Sequence, residues 1–281
     1  MAITAAQVKE LREMTGAGMM ECKKALTEAG ADMDKAVDLL REWGVAKVAK
    51  KAGRATNEGT IMALVSDDAK SGVVIELNCE TDFVGMNEKF KGYAEQIAKI
   101  ELAKKYADAE ALKADEEVAA LITDCVHVMG ENTKLARVAF IEGTGVCSYI
   151  HMGGKIGVLM QFDVEGIDPT SDAFVAYGRD VAMQVAAMSP VAPNREAVPA
   201  DVVAKEMEIY KAQAAASGKP ENIQEKIATG RLEKYYAENC LTEQAFVKDG
   251  DLTIQTYTDK VAKELGGSIK VVDFVRYALG E

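Results

Sequence analysis

At 281 residues the chain is long enough for two or three packed units, and 48% hydrophobic with 28% charged residues excludes wholesale disorder. A formal net charge of −12 argues against direct nucleic-acid binding, because affinity for phosphate rests on clustered Lys and Arg. It suits solubility and a partner with basic patches.

The first fifty residues predict three short helices. Thr4 with Gln7 forms a capping box, and Val8 and Leu11 start an apolar stripe that Thr15-Gly16-Ala17-Gly18 interrupts. A second helix carries Met19, Met20, Cys22, Ala25 and Leu26 and stops at Gly30. Asp32 caps a third with Met33, Val37 and Leu40, ending near Trp43-Gly44. Three such helices make a small bundle with little core. The basic stretch from Lys47 to Arg54, followed by Ala55-Thr56-Asn57, reads as a linker.

The period then changes. Ile61–Val65 and Gly72–Leu77 are strand-like and flank Ser66-Asp67-Asp68-Ala69-Lys70, which predicts a hairpin. Helices follow from about Asn87 to Leu102 and from Leu112 to Met129, and Leu135–Ile141 returns to strand. An internal echo comes next. Glu58-Gly59-Thr60 recurs as Glu142-Gly143-Thr144 (142 − 58 = 84), and the same offset maps Phe90 onto Phe174, Tyr93 onto Tyr177 and Ile97 onto Val181. This predicts a duplicated unit of hairpin and helix. The copies differ where Asp82-Phe83 meets Gly166-Ile167.

Asp201–Ala216 and Pro220–Asn239 predict two antiparallel helices turning at Ser217-Gly218-Lys219, with Pro220 at the first helical position. Their stripe (Val202, Val203, Met207, Tyr210; Ile223, Ile227, Leu232, Tyr235) supplies little core, so the arm wants another surface such as a second subunit. A helix to Leu265 and a strand near Ile269–Tyr277 complete the tail.

Converging catalytic groups are scarce. Five scattered cysteines without a Cys-x-x-Cys pair predict reduced thiols in a cytosolic setting, with neither a disulfide framework nor a zinc site. The N-terminus shows no leader and no apolar run reaches the ~20 residues of a membrane span. Cys147 and His151 share a strand face but stand roughly 13 Å apart along it, too far for a thiol–imidazole pair. Gly154-Lys155 and Gly218-Lys219 lack the earlier glycine of a phosphate loop, and Gly16-x-Gly18 and Gly143-x-Gly145 lack the third glycine of a dinucleotide fingerprint. No cofactor is expected. The odd segment is Asn78-Cys79-Glu80-Thr81-Asp82-Phe83-Val84-Gly85, a loop between strand and helix that carries an aromatic. Either Phe83 folds back as a local core residue, or it is an exposed anchor beside a carboxylate, the kind that dominates interfaces.

Two stretches carry a resemblance: Leu11-Arg12-x-x-Thr15-Gly16-Ala17-Gly18-Met19-Met20-Glu21-Cys22-Lys23-Lys24-Ala25-Leu26 and Glu76-Leu77-Asn78-Cys79-Glu80-Thr81-Asp82-Phe83-Val84. They are similar to the two signatures of bacterial elongation factor Ts. Gly130-Glu131-Asn132, His151 to Val158, Ser217 to Pro220 and Gln244 to Asp249 agree further, in the family's order. The resemblance implies a cytoplasmic, non-enzymatic α+β protein. Its parts would be an N-terminal three-helix (UBA-like) domain over 1–54, a duplicated core with antiparallel sheets (55–140; 141–190 with 240–268), a protruding helical hairpin over 191–239 and a C-terminal module over 269–281.

It also implies guanine-nucleotide exchange on elongation factor Tu, with the loop Thr81, Asp82, Phe83 and Val84 entering Tu near its Mg²⁺ and nucleotide. Arg12, Met19, Met20 and Lys23 would hold the Tu nucleotide domain, and Met129, Gly130, His151, Phe246 and Val247 match further contact positions. A homodimer through the hairpin fits the resemblance. A membrane or nucleic-acid partner does not. Three departures stand out. Gly85-Met86-Asn87 occupies the place of a frequent Ala-Arg-Asn, Gln184 replaces a frequent histidine, and the chain stops at Gly280-Glu281 where longer relatives continue. Two other classes compete: a thiol hydrolase using Cys79 or Cys147, and a non-catalytic adaptor whose bundle binds a helix.

Overall fold

A computed structural model of the chain describes residues 3–216, 218 and 220–281, without the side chains of 45–49. Helix α1 (Ala5–Thr15) starts at the Thr4–Gln7 capping box and ends at Gly16, whose φ of +68° lets its N–H donate to the Arg12 carbonyl. Helices α2 (Met19–Glu28) and α3 (Met33–Lys51) close a bundle around Leu11, Cys22, Leu26 and Leu40. Strands β1 (Glu58–Val65) and β2 (Ser71–Cys79) form the predicted hairpin. A single turn, α4 (Asp82–Gly85), precedes helix α5 (Glu88–Lys104). The helix expected from Leu112 is two pieces, α6 (Ala109–Lys113) and α7 (Glu116–Met129). The break falls at Asp115, whose carboxylate accepts from the Glu117 and Val118 N–H groups as an N-cap.

Helix α3 also departs from expectation, because Gly44 does not end it. A Cβ at Gly44 would stand 3.4 Å from Thr123 Cγ2, so the glycine lets α3 lie against α7, and α3 continues to Lys51 through part of the expected linker.

Strand β3 (Lys134–Glu142) pairs with β2. The second half repeats the plan with β4 (Gly145–His151), β5 (Ile156–Glu165) and α8 (Asp172–Met188), followed by the hairpin helices α9 (Ala200–Ala215) and α10 (Glu221–Asn239). Pro220 is the N-cap of α10 and not its first helical residue; Ser217 and Lys219 of the expected turn lie outside the described residues. The short pair β6 (Ala245–Phe246) and β7 (Asp249–Thr253), helix α11 (Ile254–Leu265) and strand β8 (Ser268–Ala278) finish the chain.

The two three-stranded antiparallel sheets run in the orders β1-β2-β3 and β4-β5-β8. Most of the segment 269–281, expected as a separate module, therefore completes the second sheet. The sheets pack face to face through Ile61, Ala63, Val74 and Leu159. Alternation sends Val73, Ile75 and Leu77 outward against α5 and α7, and Val158, Met160 and Phe162 outward against α8 and α11. In the hairpin Ala214, Ala228 and Leu232 are buried while Ile209 and Ile223 stay exposed. Among the described residues no helix is long and apolar enough to cross a membrane.

Candidate partner-binding surface

Thr81 ends the extended run after β2 and N-caps the turn α4, its hydroxyl accepting from the Val84 N–H at 3.4 Å. Gly85 faces inward: a Cβ there would sit 2.6 Å from the Gly59 carbonyl oxygen, so only glycine lets the turn rest on β1. Val84 is partly buried against the first core. Phe83, in contrast, is 80% exposed, which decides between the two readings of this residue. Met86, one turn further on, is 54% exposed. The Asp82 carboxylate has no hydrogen-bond or ion-pair partner among the described residues.

The turn is braced from the end of α7. The Glu131 carboxylate accepts from the N–H groups of Glu80 and Thr81, both at 3.0 Å, and from the Thr81 hydroxyl at 2.6 Å. In return Glu80 accepts from the Asn132 N–H at 2.7 Å and pairs with Arg54 at 3.3 Å. Asn132 is buried and donates its amide to the Arg54 carbonyl at 2.9 Å. Gly130 caps α7 and accepts from Lys51. Met129 is half-buried against the same core.

On the outer edge of β1 the turn 151–155 docks, the Ile61 N–H donating to the Gly154 carbonyl at 2.8 Å and Lys155 pairing with Glu58 at 2.7 Å. His151 is half-buried, its Nδ1 2.9 Å from the Tyr149 hydroxyl, and Met152 is 71% exposed. Residues 58–61 thus join the Phe83 turn to the His151 turn. Arg12, Met19, Met20 and Lys23 are all exposed on α1 and α2. Their corner reaches α7 as well, with Glu21 Oε2 3.7 Å from His127 Nε2 and the Gly16 backbone against Val128.

Phe246 is only 5% exposed and stacks on Tyr257 at 4.5 Å, so its side chain belongs to the second core, while Val247 stays exposed. The buried Gln184 amide holds this segment, donating to Gln244 Oε1 and the Ala245 carbonyl and accepting from the Val247 N–H at 2.9 Å. The thiol readings fail physically. All five cysteines are buried, and burial pushes the thiols of Cys79, Cys125 and Cys147 up to about 12. Cys147 packs under Gly178 of α8, whereas His151 turns to Tyr149.

The roles of Glu131, Glu80 and Asn132 were missed in sequence. Their partners lie about fifty positions away, and one chain offers no period that pairs them.

An exposed aromatic on a turn braced from behind, set in an α+β frame, is a geometry suited to docking. Residues 80–281 match the family described as Elongation factor TS. The chain is 48% identical over 291 residues to Elongation factor Ts of Trichlorobacter lovleyi, covering 100% of this chain and 94% of that protein. It is 46% identical over 289 residues to Elongation factor Ts of Clostridium botulinum, covering 99% and 93%. The chain belongs to the elongation factor Ts family, whose members are translation elongation factors.

Proposed function

We propose that this chain is a guanine-nucleotide exchange factor for elongation factor Tu, acting in the cytosol without chemical catalysis of its own. The observation that carries the reading is Phe83, an aromatic 80% exposed on a turn that its own core braces. An exposed aromatic held in a fixed place beside a carboxylate has the character of an interface anchor. In this reading Phe83 wedges into Tu beside its Mg²⁺ and nucleotide, with Asp82 alongside. Displacing the ion removes the main charge that compensates the phosphates, and GDP leaves. The coupling is reciprocal: if the factor weakens GDP binding, GDP weakens the factor's binding equally, and incoming nucleotide ejects it.

The exposed corner of Arg12, Met19, Met20 and Lys23 would grip the Tu nucleotide domain, with Met129, Gly130 and His151 contributing from the core. Val247, not Phe246, would provide the side-chain contact of its segment. The exposed Ile209 and Ile223 of the hairpin fit a second copy of the chain or Tu itself.

Release of labelled GDP from Tu tests the reading. Wild type should accelerate release, and Phe83→Ala should cut the acceleration about 10- to 100-fold while the melting curve stays put. Equal rates would end the wedge role, and no acceleration by wild type would end the exchange reading. One observation favours an adaptor instead: a cleft of about 750 Å³ between the bundle and α7, lined by Met14, Val37, Leu40, Leu121 and His127. An adaptor would bind Tu or a helix without changing GDP release.

A further inference from the structure

The turn that carries Phe83 offers a second apolar side chain. Phe83 and Met86 are three residues apart on a helical turn, so they share one face. Gly85 lies on the opposite face, pressed on the Gly59 backbone, and Val84 is packed on the first core. The turn cannot roll to hide either outer side chain without breaking those contacts and the Glu131 brace. A single exposed apolar residue is unremarkable, but two on one face, 80% and 54% exposed, form a fixed patch amid Asp82, Asn87 and Glu88.

We propose that Phe83 and Met86 enter elongation factor Tu as one two-residue apolar knob, and that the receiving surface is apolar opposite residue 86. The inference rests on the exchange-factor reading above. Its chemistry follows from the side chain. An arginine at this position carries five N–H donors and asks for carboxylates or carbonyls across the interface. A thioether donates nothing, and gains only from burial against apolar or aromatic atoms, which its flexible chain can follow closely. A surface built for one is wrong for the other, because an unpaired guanidinium buried in an apolar pocket costs more than the packing returns.

The test is stopped-flow release of labelled GDP from the Tu of the same cell, using full-length wild type, Met86→Ala, Met86→Leu, Met86→Arg, Phe83→Ala and the Phe83→Ala/Met86→Ala double variant. Met86→Ala should slow exchange about tenfold, a difference of about 1.4 kcal/mol. Met86→Arg should be at least as slow, and Met86→Leu should stay within about threefold of wild type because it keeps the apolar character. The double variant should lose less than the product of the single losses, since the two side chains share one pocket. Wild-type rates for Met86→Ala and Met86→Arg, a faster Met86→Arg, or equal losses in all three Met86 variants would overturn the knob. If Phe83→Ala is slow while the Met86 variants match wild type, only this inference fails. If wild type itself leaves GDP release unchanged, the exchange reading fails with it. Melting curves check that each variant is folded, and should match wild type for side chains more than half exposed.

Discussion

Glu80 and Glu131 hold each other's backbone: Glu131 accepts from the Glu80 N–H at 3.0 Å, and Glu80 accepts from the N–H of Asn132, the neighbour of Glu131, at 2.7 Å. Two carboxylates that would repel in isolation are each occupied by amide donors. The crossing ties the end of β2 to the end of α7 beside the Phe83 turn. It makes the turn a fixed projection and not a flexible loop, which lowers the ordering cost when a partner binds.

Glu131→Ala therefore leaves the Glu80 and Thr81 N–H groups without their acceptor. The expected loss is about 1–3 kcal/mol of stability in a denaturant titration, with faster amide exchange at residues 80 and 81. GDP release from Tu should slow although Phe83 is untouched. Glu131→Gln keeps one acceptor oxygen and should fall between. Unchanged amide exchange at both positions in Glu131→Ala would show that the brace is not what holds the turn.

The thiols give a second prediction, with a definite pH sign. In the folded chain Cys79, Cys125 and Cys147 are pushed from 9.0 up to about 12 by burial, and Cys240 to about 11. At pH 8 a thiol near 12 is thiolate only about one part in ten thousand, so iodoacetamide should label the native protein far more slowly than the unfolded one. The unfolded chain releases these protons from about 9 upward while the folded chain keeps them. Stability should thus be unaffected by them below pH 9 and fall between pH 9 and 12. Rapid labelling of one of these cysteines at pH 8, without unfolding, would contradict the packing described here.

Much of the frame was legible in sequence because it rests on local periods. The offset of 84 residues between Glu58 and Glu142 reappears at both ends of helices α5 and α8, Glu88–Lys104 and Asp172–Met188. A duplicated plan repeats its apolar spacing, and spacing survives in one chain. Gly44 misled because a glycine at a close helix–helix contact looks like a helix stop until the neighbour, Thr123, is known. The cap at Asp115 is invisible in sequence, because a capping residue inside an apolar pattern shows only by its bonds. At the surface, the pattern left Phe83 open between core and solvent, since burial depends on what lies across the fold. The motif around Phe246 carries no mark of the Tyr257 ring that covers it.

The third prediction concerns Gln184, whose side chain is fully buried beside the segment 244–247. Its amide makes three bonds to one segment, donating to Gln244 Oε1 at 3.1 Å and to the Ala245 carbonyl at 3.0 Å, and accepting from the Val247 N–H at 2.9 Å. A neutral imidazole has one donor and one acceptor, so Gln184→His can restore at most two of the three. Gln184→Leu restores none, and leaves the Val247 N–H and the buried Gln244 side chain without those partners, at about 1–3 kcal/mol. Melting temperatures should therefore rank wild type above Gln184→His above Gln184→Leu. Affinity for Tu should follow the same order, because the amide fixes the backbone from which Val247 projects, 47% exposed. A Gln184→Leu variant that melts lower yet binds Tu like wild type would confine Gln184 to stability. Full retention of both would mean that the segment 244–247 is held by the Phe246–Tyr257 stack alone.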